Sequence, residues 1–288
     1  MEAGGTPHHE VHHEGKKKEK KFGTDALLIA GSVLLTGLII AGAIVFVMQK
    51  FPAMLADALP AAVAPAAAPG AQGQQPADPT VSMDQIRALF NSKNISFGKK
   101  DAKVVFVEIS DPSCPFCQVA GGKNLALNKQ VGAQFTTAAD GGTYVPPVPE
   151  MKKLVDAGKA SFVWVYANGH GSGEMGTKAL YCAFEKKKFW EVSDLLMSEA
   201  GYNLLNTVVK NDKTKSGELS DFLSSAMSAS DMKSCLDSGK YDGRIAEDTA
   251  TSTKLGMSGT PKFFVNTETF KGAYSFTDMK VAVDKYLK

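Results

Sequence analysis

The chain has 288 residues, 44% of them hydrophobic and 22% charged, with a formal net charge of +2 and four cysteines. That is enough apolar material for a packed core, which excludes both an intrinsically disordered chain and a small disulfide-built scaffold. A nearly balanced charge, with no lysine-rich stretch beyond the first residues, argues against a nucleic-acid footprint.

Residues 1–23 are polar, holding His8, His9, His12 and His13 and then Lys16, Lys17, Lys18, Lys20 and Lys21. A disordered cytoplasmic tail is expected, with weak metal binding by the histidines as the alternative. A transmembrane helix is predicted over 24–49, because residues 26–48 carry no charge. At ~1.5 Å per residue such a run crosses a hydrocarbon core of ~30 Å, and it is longer than the about 7–15 residues of a signal-peptide core. Small residues at Ala56-Asp57-Ala58 leave later cleavage open. Lysines crowd the N-terminal flank while Lys50 stands alone beyond the span, which places the tail inside and the rest outside the cell membrane. Residues 50–80, rich in Ala and Pro, read as a linker.

A folded domain is predicted over 81–288. Ser82 and Gln85 fit a capping box, with Ile86, Leu89 and Phe90 at helical spacing. Residues 95–97 suit a short strand, and 103–110 have the β-branched and aromatic content of a buried one. Glu108 interrupts that run. A carboxylate there is costly unless paired or functional, so it either points into the core or sits at a solvated edge.

Cys114-Pro115-Phe116-Cys117 follows at the strand-to-helix junction. Pro115 is pre-set for a first helical turn, and the helix directs its N–H groups and positive end at the Cys114 sulfur, favouring a nucleophilic thiolate. Cys117, one turn on, is close enough to close a small disulfide ring. The rival readings are half a zinc site or two unrelated core thiols, and no second CxxC or His pair supports the former.

Helix with a break at Gly121-Gly122 is expected next, then a loop over 136–149, a helix over 151–157 ended by Gly158, and a strand over 161–166. Strand, helix and strand imply a parallel pair with a right-handed crossover. His170 lies in a loop, where surface polarity competes with a catalytic or metal role. Residues 174–250 read as helical, with a polar loop over 211–217. Then Gly259-Thr260-Pro261 leads into a short strand over 262–266. A proline at the mouth of a buried strand is best explained by a cis Thr260–Pro261 bond. A last strand over 270–275 and a closing helix over 277–287 complete the domain.

Glu108, the CPFC motif, Phe189-Trp190 and the run Gly256 to Val265 resemble the DsbA-like thiol:disulfide oxidoreductases of the thioredoxin superfamily over residues 82–288. The resemblance implies an α/β thioredoxin-like fold interrupted by a helical insertion at about 174–250. It implies that Cys114 is the attacking cysteine, Cys117 its buried partner and Glu108 a proton relay. Pro115, Phe116, Thr260 and Pro261 would meet substrate, with the Thr260 backbone pairing with an extended peptide. No cofactor beyond the redox-active disulfide and no metal is expected. The implied partners are exported proteins with reduced cysteines and a quinone-linked membrane protein that reoxidises the pair, with the bilayer held through 26–48. Cys182 and Cys235 are candidates for a second, structural disulfide, against two free thiols or an electron shuttle. The expected function is disulfide introduction into exported proteins. A reductase or isomerase fed from the membrane, and a non-enzymatic client-binding module, are the alternatives. Phe116 stands where the strongest oxidants have His, a replacement that removes a donor to the thiolate.

Overall fold

The computed structural model describes residues 79–288. The expected tail, transmembrane span and most of the linker lie outside these residues. Among the described residues no helix is long and apolar enough to cross a membrane.

The domain is built on a five-stranded mixed sheet. Strands β1 (Ile95–Phe97), β2 (Val104–Ser110), β3 (Ala160–Tyr166), β4 (Lys262–Val265) and β5 (Glu268–Lys271) lie in the order β1-β3-β2-β4-β5. Only β2 and β3 run parallel, and the other pairs are antiparallel. All seven residues of β2 are buried, as are all seven of β3. This follows from sheet position: β2 is central, and helices cover both its faces.

Alternation along the strands divides the core in two. Val104, Phe106, Phe162, Trp164 and Phe263 face the larger cluster, and Val105, Val107, Ile109, Val163, Val165 and Phe264 face the smaller one. Each such side chain contributes roughly 1.5–3 kcal/mol of burial. Helix α1 (Met83–Ala88) closes the smaller side through Ile86, and its capping box is fully formed between Ser82 and Gln85. The connection between β2 and β3 carries α2 (Pro115–Gly121), α3 (Leu125–Gln130) and α4 (Pro147–Asp156). Gly122, at φ 66°, ends α2 in the left-handed conformation that glycine adopts without strain.

From β3 the chain enters α5 (Glu174–Glu185), α6 (Phe189–Leu196), α7 (Glu199–Asn203), a π-helical segment at Leu204–Val209, α8 (Ser216–Phe222), α9 (Ala229–Asp237) and α10 (Asp242–Lys254). It returns through the hairpin β4–β5 and ends in α11 (Phe276–Leu287).

Several boundaries differ from the sequence reading. Helix α4 starts at Pro147, inside the expected loop, because prolines in a first turn lose no hydrogen bond. The rest of that loop holds a short 3-10 turn at Ala138–Asp140 and a bridge between Thr137 and Tyr144, and a second such turn, Ala133–Phe135, precedes it. Strand β5 spans 268–271 rather than 270–275, since Asn266, at φ 53°, turns the chain straight back after β4. Asn266 also extends the ladder: its Oδ1 accepts from the Val105 N–H at 2.8 Å and its Nδ2 donates to Lys103 O at 3.0 Å.

Candidate active site

The dithiol sits where β2 ends and α2 begins. Cys114 is the N-cap of α2 and Pro115 its first residue, as helix-entry chemistry dictates. Both sulfurs are free thiols and both residues are buried, with Cys114 5% exposed and Cys117 fully enclosed. The peptide bond between Thr260 and Pro261 is cis. This turn carries the Thr260 carbonyl to 3.4 Å from the Cys114 sulfur, which donates to it when protonated.

The two thiols are held apart electrostatically. A hydrogen bond from Cys117 is the largest influence lowering the Cys114 pKa to about 6. Burial opposes it, while Thr260 and the N–H groups of Phe116 and Cys117 reinforce it. Cys117 goes the other way. Burial raises its pKa well above the usual thiol value, and the neighbouring Cys114 raises it further. The Asp111 N–H lies 3.4 Å from the Cys117 sulfur and partly offsets this. One sulfur is therefore ready to attack or leave as a thiolate, and the other holds a proton.

Glu108 is 2% exposed and lies on the central strand, opposite Trp164 of β3 and Phe263 of β4. The solvated-edge alternative is thereby removed. Its Oε1 has no hydrogen-bond partner among the described residues. Burial pushes its pKa up to about 7, with the Ser110 hydroxyl pulling it partly back. The same hydroxyl lowers Cys117, so Ser110 influences both the carboxyl and the buried sulfur. Glu108 also forms part of the lining of a cavity of about 320 Å³ between α4 and α6, walled by Trp164, Trp190 and Met197.

Phe116 is 41% exposed at the mouth of the site, and its ring meets Phe135 edge-on at 5.7 Å. Phe135 meets Tyr144 in the same way at 5.5 Å. The segment after α3 thus supplies an aromatic wall beside Phe116 and Thr260, around an open groove.

Cys182 of α5 and Cys235 of α9 form a disulfide 53 residues apart in sequence. His170 is exposed. Among the described residues no group of three or more His, Cys, Asp and Glu side chains is arranged to hold a metal ion.

Three buried polar residues at the site escape sequence reasoning: Ser110, Asp111 and Gln118. Gln118 Nε2 donates to Pro112 O at 2.8 Å and to Leu196 O at 2.9 Å, tying the motif to α6. For Asp111 a signal exists, since Asp-Pro-Ser before a helix favours a side-chain turn. For Gln118 none does, because its partner is 78 residues away.

A thioredoxin family model matches residues 149–285. Disulfide bond formation protein D of Bacillus subtilis is 22% identical over 197 residues, covering 66% of this chain and 76% of that protein. The Na(+)/H(+) antiporter NhaA 3 of Salinispora tropica is 26% identical over 190 residues, 65% of this chain. The chain spans only about a quarter (24%) of the length of that antiporter and of NhaA 1 of Salinispora arenicola. Among solved structures, a double cysteine-to-alanine variant of alpha-DsbA1 from Wolbachia pipientis aligns with a TM-score of 0.52 at 13% identity. It covers 72% of this chain and 96% of that one, a likeness of fold.

Proposed function

We propose that this chain is a DsbA-like thiol:disulfide oxidoreductase that donates disulfides to exported proteins through Cys114 and Cys117, a reading supported by the thioredoxin family model over residues 149–285 and the likeness to disulfide bond formation protein D. The carrying observation is the split between the two thiols: Cys114 lowered to about 6 and Cys117 raised, beside the carbonyl that precedes a cis proline.

In the oxidised protein a client thiolate attacks the Cys114 sulfur. The Cys114–Cys117 bond breaks, Cys117 leaves with the electron pair and takes a proton, and a mixed disulfide joins the client to Cys114. Glu108, at about 7, supplies that proton near neutrality. A second client thiolate then attacks the client sulfur of the mixed disulfide. Cys114 leaves as a thiolate, and the client departs with its disulfide. A low leaving-group pKa favours this direction. The Thr260 backbone pairs with the extended client, and Pro115, Phe116 and Pro261 form the surface around the attacked sulfur.

The lysine-flanked apolar run at 26–48 supports tethering to the cell membrane with the catalytic domain outside. The linker over 50–80 holds the domain near a quinone-linked membrane partner that reoxidises the dithiol. The Cys182–Cys235 disulfide agrees with an oxidising compartment.

Phe116 favours a second reading, reduction or isomerisation of client disulfides, because its ring offers the thiolate no donor. The reduction potential measured against glutathione separates the two. A value close to thioredoxin's, near about −270 mV, overturns the oxidase direction. If Cys114→Ala leaves both insulin reduction and client oxidation unchanged, the domain binds clients without redox chemistry.

A further inference from the structure

We propose that Asp111 is a positioning residue: its carboxylate, through the loop 168–173, sets the client-pairing edge at Thr260 against the Cys114 sulfur. This rests on the oxidoreductase reading above and adds to it the residue that aligns the client.

Asp111 is fully buried, yet each of its carboxylate oxygens is satisfied by a different loop. Oδ1 accepts from the Ser113 N–H at 2.8 Å and the Ser113 hydroxyl at 2.7 Å, bracing the turn that presents Cys114. Oδ2 accepts from the N–H groups of Gly169 at 2.8 Å and His170 at 2.9 Å, in the loop that follows β3. Four donors on one buried carboxylate fix its orientation, and charge-assisted bonds of this kind are about twice as strong as neutral ones.

The loop it holds is seated directly on Thr260. A Cβ placed at Gly169 would lie 1.8 Å from Thr260 Oγ1, so glycine here lets the loop back meet the threonine side chain. Gly173 gives the same close approach to Asp111 itself, where an added Cβ would fall 1.8 Å from Oδ1. The chain of contacts therefore runs from the dithiol turn through Asp111 to Gly169 and on to Thr260, whose carbonyl returns to Cys114 at 3.4 Å.

This arrangement separates two properties. Of the groups that hold the Cys114 thiolate, Cys117, the largest influence, and the first N–H groups of α2 belong to the helix and do not pass through the Asp111 carboxylate. The placement of Thr260 does. Loss of the carboxylate should weaken client alignment, while the thiolate loses only the smaller support from Thr260 and keeps that from Cys117.

The test uses the full-length protein, a reduced peptide with two cysteines, and three variants. The wild type must first oxidise the peptide, and if it does not, the oxidoreductase reading fails before Asp111 is at issue. Asp111→Ala strands four donors and is expected to raise KM about tenfold, with kcat within about twofold of wild type. Asp111→Asn can turn its oxygen toward Gly169 and His170, and should bring KM back to within about threefold. The Cys114 thiolate absorbance should keep a midpoint well below 9.0 in all of them, because Cys117 stays in place. Should Asp111→Ala not fold, Gly169→Ala decides: it keeps the carboxylate bonds and pushes Thr260 away, and it should raise KM in the same way. A melting point that falls while KM stays put in the folded variants overturns the proposal, as does a KM change accompanied by return of the Cys114 midpoint to the ordinary 9.0.

Discussion

At Cys114 the thiolate is held by a neighbouring thiol and by helix N–H groups, so its titration midpoint should lie near 6, far below the 9.0 of an ordinary cysteine. The rate of alkylation of reduced protein against pH measures this, and Cys114→Ser should abolish the fast phase. Phe116→His introduces a donor beside that sulfur. The reduced form should gain about 1 kcal/mol, raising the reduction potential by roughly 20 mV against glutathione. Glu108 follows the opposite sign. Its folded pKa, about 7, lies above the ordinary 4.5, so the protonated form favours the native state. That contribution is fully present below pH 4.5 and is lost as pH rises toward 7, a change of about 3 kcal/mol. Glu108→Gln should flatten this slope in denaturant titrations and should slow release of the mixed disulfide near neutrality.

Among the elements, β2 and α2 position the dithiol, and the helices after β3 hold them in place. Gln118 bonds to α6, and Asn206 Nδ2 donates to Ser113 O at 3.1 Å from the π-helical segment. The disulfide lies farther out and joins α5 to α9. Closing a loop of 53 residues restricts the unfolded chain, and its loss should cost about 4 kcal/mol in the chain-entropy treatment. Cys182→Ala with Cys235→Ala should therefore lower the melting temperature while leaving the Cys114 midpoint near its original value. Lys262 is another tie: it is buried at the start of β4 and its Nζ donates to Leu255 O at 3.0 Å and Gly256 O at 2.8 Å. A cation at these carbonyls satisfies the end of α10 and anchors the strand that follows the cis proline.

For the whole molecule the redox state and stability are linked. A cysteine whose folded pKa is depressed adds stability that is present above the ordinary value and is lost as pH falls through the folded one. For Cys114 that window runs from 9.0 down to about 6. The disulfide form has no such group. The stability of the reduced protein relative to the oxidised protein should therefore be greater at about pH 8 than at about pH 6. Parallel thermal melts of the two forms across this range check it. The same difference makes the oxidised form the more willing donor of its disulfide, which connects the folding equilibrium to the proposed direction of electron flow.

Legible in the sequence were the dithiol motif and its frame: two cysteines one helical turn apart after an apolar strand, and a proline at the mouth of a late strand. These are local patterns, and helix entry, strand alternation and proline geometry act over a few residues. Glu108 was visible as an anomaly in a buried run, but its place at the centre of the sheet required β3 and β4 on either side. The tertiary structure alone decided that α4 begins within the expected loop, that Phe135 and Tyr144 line the mouth, and that Asp111 reaches residues 58 and 59 positions away. Contacts of that separation leave no periodic trace in a sequence, because they are fixed only when packed elements bring their ends together.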